Sequence, residues 1–336
     1  MNGIWLILVF SLIAGCSNNP SITKNTFLMD TFVQVKVKGG SRVSLKEHAI
    51  DATFTRMRAL ESKFTIFAED GELAKINELG EGQEFALSDE MLNVLSASQD
   101  VNVITRGAFD ITIGRAEELW FPVGGSKGLP APDKLRAADE SVGADKWGLD
   151  RDKKLIRFNT GGVKIDLGGI AKGFIVDEGI KTLKSFNISN ALLNAGGDIY
   201  CFGEGGDRSG WRIGIRDPGD PQRIIATISV RDKGVATSGS YERFARIGSE
   251  ELSHIIDPAE GRPLKKSKKS VTVVADTCML ADALATALYV MDVENGVRII
   301  EGIEGADCII VDNEGELYVS SGLKGKAQFG LTKARR

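Results

Sequence analysis

The chain has 336 residues, 42% apolar and 26% charged, a composition that suits a folded protein with a sizeable core and excludes a disordered or fibrous one. A formal charge of −4 with no basic stripe excludes nucleic acid as the expected partner. Four cysteines and two histidines leave little material for a disulfide framework or a zinc site.

Residues 4–10 form an apolar run that leads into Leu12-Ile-Ala-Gly-Cys16. The run is too short to span a bilayer as a mature helix and reads as a signal-peptide core. Ala14 and Gly15 before Cys16 resemble the lipobox of bacterial lipoproteins, in which the cysteine is acylated and becomes the mature N-terminus. The departure is the lack of any Lys or Arg in the first sixteen residues, and an uncleaved anchor or simple secretion are the alternatives. The expected organisation is a signal peptide over 1–15, a polar tether over 16–25 and one domain over 26–330. Cys201, Cys278 and Cys308 remain, odd in number and without paired spacing, and the last two lie in apolar runs as small core residues.

Residues 26–37 alternate apolar and polar side chains and predict a strand, with Met29-Asp-Thr31 at its start. Ile50, Phe54, Met57, Leu60 and Phe64 recur at the helical period and predict an amphipathic helix over 45–64. A second helix is predicted over 89–105, opened by Ser88 as cap with Asp89 and Glu90 in its first turn. Residues 107–121 read as a loop running into a short helix, and 122–140, rich in Gly, Pro and Lys, as a surface excursion. Residues 155–158 and 163–166 look like a strand pair.

The stretch 164–173 ends an apolar strand in Asp166, turns through Gly168-Gly169 and starts a helix marked by Ile170, Phe174 and Leu183. Open backbone N–H groups at such a helix start suit a phosphate, and an ordinary strand-to-helix turn with a capping Asp fits the same pattern. Asp166 would repel a phosphate unless it serves a metal ion or hydrogen-bond donors on the ligand.

Further on, 190–202 reads as a strand interrupted by Gly196-Gly197, a pair that marks close approach of the backbone to a ligand. Residues 211–216, 224–230 and 234–244 continue the β pattern. Helices and strands in this order predict α+β, a single large mixed domain of antiparallel-rich sheet with packed helices. His254 is a lone histidine, a type more often structural than catalytic. The lysines over 265–269 read as a solvated loop, with weak attraction to anionic lipid or ligand as the alternative. After a strand over 270–275, the helix over 278–291 is apolar all round and therefore buried. It carries Asp282 and Thr286 on one face, which need a partner: a backbone N–H or an Arg, or a hard cation such as Mg²⁺.

Taken in order, several motifs resemble those of the ApbE family, the FAD:protein FMN transferases. They are Met29-Asp-Thr31, Ala108-Phe-Asp-Ile-Thr-Ile-Gly114 with Leu119-Trp120, Asp166-Leu-Gly-Gly-Ile-Ala-Lys-Gly173 and Leu193-Asn-Ala-Gly-Gly-Asp198. Ala236-Thr-Ser-Gly-Ser-Tyr-Glu-Arg-Phe244, His254-Ile-Ile-Asp-Pro-Ala-Glu-Gly261 and Ala281-Asp-Ala-Leu-Ala-Thr286 complete the set. The resemblance implies an enzyme that binds FAD with Mg²⁺ and moves the FMN half onto a threonine hydroxyl of an acceptor protein, releasing AMP. The implied acceptors are flavoproteins such as redox-pump subunits. A lipid anchor would hold the enzyme on a bacterial membrane, facing the periplasm.

Carried over by position, the metal ligands would be the Gly169 carbonyl, Asp282 and Thr286. The flavin and nucleotide pocket would draw on Met29, Phe67, Ala108, Phe109, Asp110, Asp166, Lys172 and Ile256. Phe67 stands where the family commonly has Tyr, which leaves stacking without a hydrogen bond. Trp120-Phe121 lacks the residue often found between the aromatics, and Ser240 stands where Asp or Asn is common. His254 is the first candidate for the base that takes the acceptor's proton, and Asp257 is the second or orients the ring. Two rivals use the same pocket: an FAD pyrophosphatase giving FMN and AMP, and a non-catalytic FAD-binding lipoprotein. Acceptor-independent AMP release marks the first, and binding without AMP release marks the second.

Overall fold

The computed structural model describes residues 21–122, 128–205, 209–239, 244–247, 250–265, 267 and 269–329. Cys16, the signal peptide over 1–15, tether residues 16–20, Ser240, Lys266 and Lys268 lie outside the described residues.

Strands β1 (Ile22–Leu28) and β2 (Thr31–Val37) form a hairpin, so the single strand expected over 26–37 is two strands, and residues 22–25 of the expected tether are β-structure. The turn residues Met29 and Asp30 both have left-handed backbones, φ 53° and 54°, the two-residue geometry that matches strand twist. Helix α1 (Val43–Phe64) buries the predicted stripe Ile50, Phe54, Met57, Leu60 and Phe64. After α2 (Glu72–Ile76) and β3 (Glu84–Ala86) comes α3 (Asp89–Ile104), where Ser88 caps as expected by accepting from Met91 N at 3.3 Å. The short helix α4 (Gly114–Trp120) follows its loop, and the excursion contains α5 (Pro132–Asp139), which has Pro in its first turn.

Strands β4 (Trp147–Asp150) and β5 (Leu155–Phe158) join β3 in a three-stranded sheet of order β3-β5-β4. The expected pairing of 155–158 with 163–166 is therefore not formed. Residues 163–166 are not a strand, because the side-chain amide of Asn77 takes both backbone groups of Ile165 and Lys164 makes only an isolated parallel bridge to Ile113. Helix α6 (Ala171–Ser185) leads to β6 (Ala191–Ala195) and β7 (Asp198–Phe202). Gly196-Gly197 is the tight turn between these two strands, and the close approach at Gly196 is to Thr31 of β2 rather than to a ligand pocket.

Next come β8 (Trp211–Asp217), β9 (Asp220–Val230), β10 (Lys233–Gly239), β11 (Phe244–Ile247), β12 (Glu250–Asp257), β13 (Arg262–Lys265) and β14 (Ser270–Ala275). Helices α7 (Cys278–Val290) and α8 (Val293–Glu301) and strands β15 (Asp307–Val311), β16 (Leu317–Val319) and β17 (Ala327–Phe329) end the described chain. An eight-stranded antiparallel sheet runs β1-β2-β6-β7-β10-β14-β15-β16. Alternation along its strands assigns its two faces. Ala236, Val271, Val273, Cys308 and Ile310 point into the main core with α1, α6 and α7. Val235, Val274, Ile309 and Val311 point into a second core against the sheet β17-β9-β8.

A small third cluster joins α4, α5 and β12 through Ala116, Trp120, Ala138, Leu252 and Ile256. Cys201, Cys278 and Cys308 are free and buried, and burial pushes all three thiols well up, so they are inert packing residues. Among the described residues, no helix is long and apolar enough to cross a membrane.

Candidate active site

Helices α6 and α7 meet at Gly173, where a Cβ would stand 2.5 Å from the Cys278 carbonyl oxygen, so only glycine permits the approach. This crossing brings the start of α6 beside the carboxylate on α7. The N–H of Gly173 is one of the first-turn amides of α6 that have no acceptor within the helix, and it donates to Asp282 Oδ2 at 3.0 Å. Among the described residues, no backbone N–H closes on the Gly169 carbonyl. A Cβ at Gly169 would lie 3.1 Å from Thr286 Oγ1 and 3.2 Å from the Phe109 ring, which places carbonyl, hydroxyl and aromatic around one corner. Thr286 Oγ1 has Ser238 Oγ at 3.4 Å, a weak contact that leaves the hydroxyl free to turn.

Charge in this corner is concentrated and buried. Asp282 is 5% exposed and Asp198, at the start of β7, 1%. Lys172 Nζ lies 2.6 Å from Asp198 Oδ2, but not in hydrogen-bond alignment, and no other group among the described residues satisfies that oxygen. Burial pushes the Asp282 carboxyl well up, and the neighbouring Asp198 pushes the same way while Lys172 opposes. For Lys172, burial works against the charge, yet the carboxylates of Asp198 and Asp282 outweigh it and hold the ammonium above its ordinary range.

Two buried acids against one buried base leave a charge that either a proton on Asp282 or a further cation balances. The open carbonyl, the hydroxyl and the carboxylates are hard oxygen donors, so the corner fits a small divalent cation such as Mg²⁺. Among the described residues, no cluster of three or more His, Cys, Asp or Glu could hold a metal. The fit therefore rests on mixed donors rather than on a carboxylate cage.

The loops beside the corner are tied down by backbone bonds. Asp166 N donates to Ile111 O at 2.7 Å and Gly114 N to Lys164 O at 3.1 Å, which sets the loop 108–111 against the turn 166–169. Phe109 N donates to Thr105 Oγ1 at 3.2 Å, and Asn102 Nδ2 donates to the Phe109 carbonyl at 2.8 Å. Asp110 is committed internally, accepting from Thr112 N at 2.8 Å, Thr112 Oγ1 at 2.6 Å and Asn102 Nδ2 at 3.2 Å. Asp166 Oδ1 accepts from Gly168 N at 2.8 Å, and its carboxyl also shares a hydrogen bond with Glu117 of α4. Burial pushes Asp166 up, and those two hydrogen bonds pull the other way.

The other expected site residues lie on elements outside this corner. Met29 sits at the β1–β2 turn, its N–H held by Glu61 Oε1 of α1 at 2.5 Å. A non-glycine residue with that backbone costs about 1 kcal/mol or more, so the Glu61 contact fixes a turn the sequence alone does not favour. Phe67 follows α1 and is 71% exposed, open on its faces for stacking. His254 is exposed on β12, a strand that packs against α7. Asp257 Oδ1 accepts from Ala259 N at 2.9 Å in the β12–β13 turn, and Trp120 Nε1 donates to Gly261 O at 3.0 Å to tie that turn to α4. Ile256 is buried in the third cluster, so its backbone is what it presents to a ligand.

The structure thus brings together Phe109, Gly169, Lys172, Asp282 and Thr286, with Asp166 on the turn that leads to them, and carries Met29, Phe67, His254 and Asp257 on other elements. Sequence reasoning missed Glu61, Asn77, Glu117 and Asp177 and gave Asp198 no role. Its usable signal was a charged side chain within an apolar run, as at Asp177 after Phe174-Ile-Val176.

A layered α+β fold, with a glycine turn and a carboxylate-bearing buried helix converging on one oxygen-lined corner, is the class these coordinates define. Within it, the chain belongs to the ApbE family, whose model matches residues 29–310. A Vibrio cholerae protein named FAD:protein FMN transferase is 32% identical over 273 residues, covering 80% of this chain and 81% of that one. A Haemophilus influenzae protein of the same name is 28% identical over 310 residues, 90% of each chain. Among solved structures, the ApbE protein of Thermotoga maritima superposes with a TM-score of 0.82 at 29% identity, covering 91% of this chain and 99% of that one. The flavin transferase ApbE of Vibrio cholerae gives 0.78 at 28%, covering 92% and 99%.

Proposed function

We propose that the protein transfers FMN from FAD to a threonine hydroxyl of an acceptor protein with release of AMP, using Mg²⁺ held by the Gly169 carbonyl, Asp282 and Thr286. The observation that carries this reading is the corner itself: no backbone N–H among the described residues closes on the Gly169 carbonyl, Gly169 lies against Thr286, and the buried Asp282 carboxyl holds the Gly173 N–H. Relatives named FAD:protein FMN transferase, aligned along most of the chain, support the substrate and the reaction class.

In the proposed reaction the threonine oxygen forms a bond to the phosphorus on the riboflavin side. The bond from that phosphorus to the bridging oxygen breaks, and AMP leaves with the electron pair. The cation would neutralise charge on the diphosphate oxygens. Lys172 adds fixed positive charge beside the same corner, kept ionised by Asp198 and Asp282. Phe67 and Met29 border the flavin's side of the pocket, and Phe109 walls the corner next to Gly169. His254 takes the hydroxyl proton, and its exposure on β12 lets a group from a second protein reach it. Asp257, which accepts from the turn amide of Ala259, is the second candidate or orients the ring.

Acylation of Cys16 would anchor the enzyme to a bacterial membrane on its periplasmic side, where redox-pump subunits and other extracytoplasmic flavoproteins present acceptor threonines. The test incubates the purified protein with FAD, Mg²⁺ and a competent acceptor and looks for covalent flavin fluorescence on a denaturing gel. Label that requires both the acceptor and Mg²⁺ is the expected result. AMP release without label identifies a pyrophosphatase, and FAD binding without AMP release identifies a carrier; either would overturn the reading.

A further inference from the structure

The oxygen corner is split between two helices. Gly169 lies just before α6, whereas Asp282 and Thr286 project from α7, so the separation of the donors depends on how α7 is registered along α6. One side chain spans that boundary at a point the proposed chemistry does not use. Asp177, two turns into α6, accepts from Cys278 N through Oδ1 at 2.8 Å and from Met279 N through Oδ2 at 2.9 Å. Both oxygens of a carboxylate are thereby spent on the first two amides of another helix.

The local cap of α7 does not reach these two amides. Thr277 already serves as N-cap of α7, accepting from Leu280 N at 3.1 Å, and it comes from the same chain segment as the helix it caps. Burial disfavours the ionised form of Asp177. Burial raises its carboxyl to about 6, against the pull of the two amide bonds, with Lys181 lowering it and Glu178 raising it. A raised acid contributes stability that is present below its unfolded range and lost as pH rises through the folded value, so at neutral pH the ionised clamp is held at a cost.

We propose that Asp177 is a positioning residue that fixes α7 in register against α6, and so holds the Gly169 carbonyl opposite Asp282 and Thr286. The proposal rests on the cation reading of those three residues. It also fits the ties across the α6–α7 crossing, which are the glycine contact at Gly173, the Gly173 N–H on Asp282 and the carboxylate clamp one helical turn further along α6.

The amide of Gly173 is a natural reporter, because its N–H is held by Asp282 across the boundary. Hydrogen exchange of the metal-free protein should show Asp177→Asn accelerating Gly173 together with Cys278 and Met279. Thr277→Ala, which removes only the local cap, should accelerate Leu280 and leave Gly173 unchanged. In turnover, Asp177→Asn should raise the Mg²⁺ concentration for half-maximal transfer about tenfold, as loss of an outer-shell partner does, with kcat at saturating Mg²⁺ nearly unchanged. Thr277→Ala should leave that concentration where it is in the wild type. Asp177→Glu, which keeps the charge but moves it, supplies a second variant if the Asn protein does not fold, and should accelerate Gly173 in the same direction.

Faster exchange confined to the first turn of α7, or equal effects of Asp177→Asn and Thr277→Ala on Gly173, would overturn the proposal. A wild type with no Mg²⁺ requirement would sink the functional reading instead, and the exchange rate at Gly173 would still decide the role of Asp177.

Discussion

Asp282 and His254 stand on packed neighbours, α7 and β12, yet their surroundings are opposite. Asp282 is 5% exposed, gripped by the Gly173 amide in a corner closed by two helices, whereas His254 lies open to solvent on its strand. The corner's residues stand on or beside helices that are themselves clamped together. The exposed set, or rim, consists of a strained turn at Met29, an exposed ring at Phe67 after α1 and an exposed imidazole within β12. The difference suits a reaction with one small hard participant, which needs fixed geometry, and one macromolecular participant, which needs access.

The contrast breaks most sharply at Asp282. Asp282→Asn should cut Mg²⁺-dependent transfer at least about a hundredfold, the scale of several kcal/mol of charge stabilisation, in a steady-state assay. The same variant should be more stable than the wild type when metal-free at neutral pH. Burial raises this acid, so its stabilising contribution belongs to low pH and is lost as the folded-state carboxyl ionises. On the rim, His254→Gln should slow transfer by about 10²–10⁴, the usual worth of a general base, with thermal stability and Mg²⁺ requirement unchanged. A large fall in stability would place His254 with the structural residues.

Lys269 tests the far end of the buried helix. Its Nζ donates to the carbonyls of Leu288, Tyr289 and Met291 at 3.2, 3.0 and 2.5 Å, closing the C-terminus of α7 instead of standing in a solvated loop. Lys269→Met should cost about 1 kcal/mol at pH 7 by chemical denaturation. Burial lowers this amine to about 8 from its ordinary 10.5, with Asp292 opposing. The stability linked to it is present above the ordinary value and lost as pH falls through about 8, so the wild type should gain on the variant between those limits. The smallest effect is expected at Phe67. Phe67→Ala should weaken FAD binding by about 0.5–1.5 kcal/mol, measured by fluorescence titration, and leave stability untouched.

Periodicity made the helices legible. The stripe from Ile50 to Phe64 and the cap at Ser88 stand where the pattern puts them, because one-sided burial and capping are local in sequence. The pairing of 155–158 with 163–166 was not legible, since Asn77, far away in sequence, takes the backbone groups of Ile165 with its side chain. Lys269 was misread for a similar reason: a lysine in a charged run gives no sign that its amine folds back over a helix end. Within the site, the one-face spacing of Asp282 and Thr286 carried the α7 half of the corner. The α6 half depended on the crossing that brings Gly169 and Gly173 against α7, distant in sequence, which no local residue pattern reports.

The account turns on what fills that corner. Crystals of the protein grown with FAD and with Mn²⁺ in place of Mg²⁺ would locate the cation by its anomalous scattering. The account predicts a peak within about 2–2.5 Å of the Gly169 carbonyl oxygen, an Asp282 carboxylate oxygen and Thr286 Oγ1, the range for hard cations on oxygen. A peak elsewhere in the pocket, or bound FAD with no peak between α6 and α7, would contradict it.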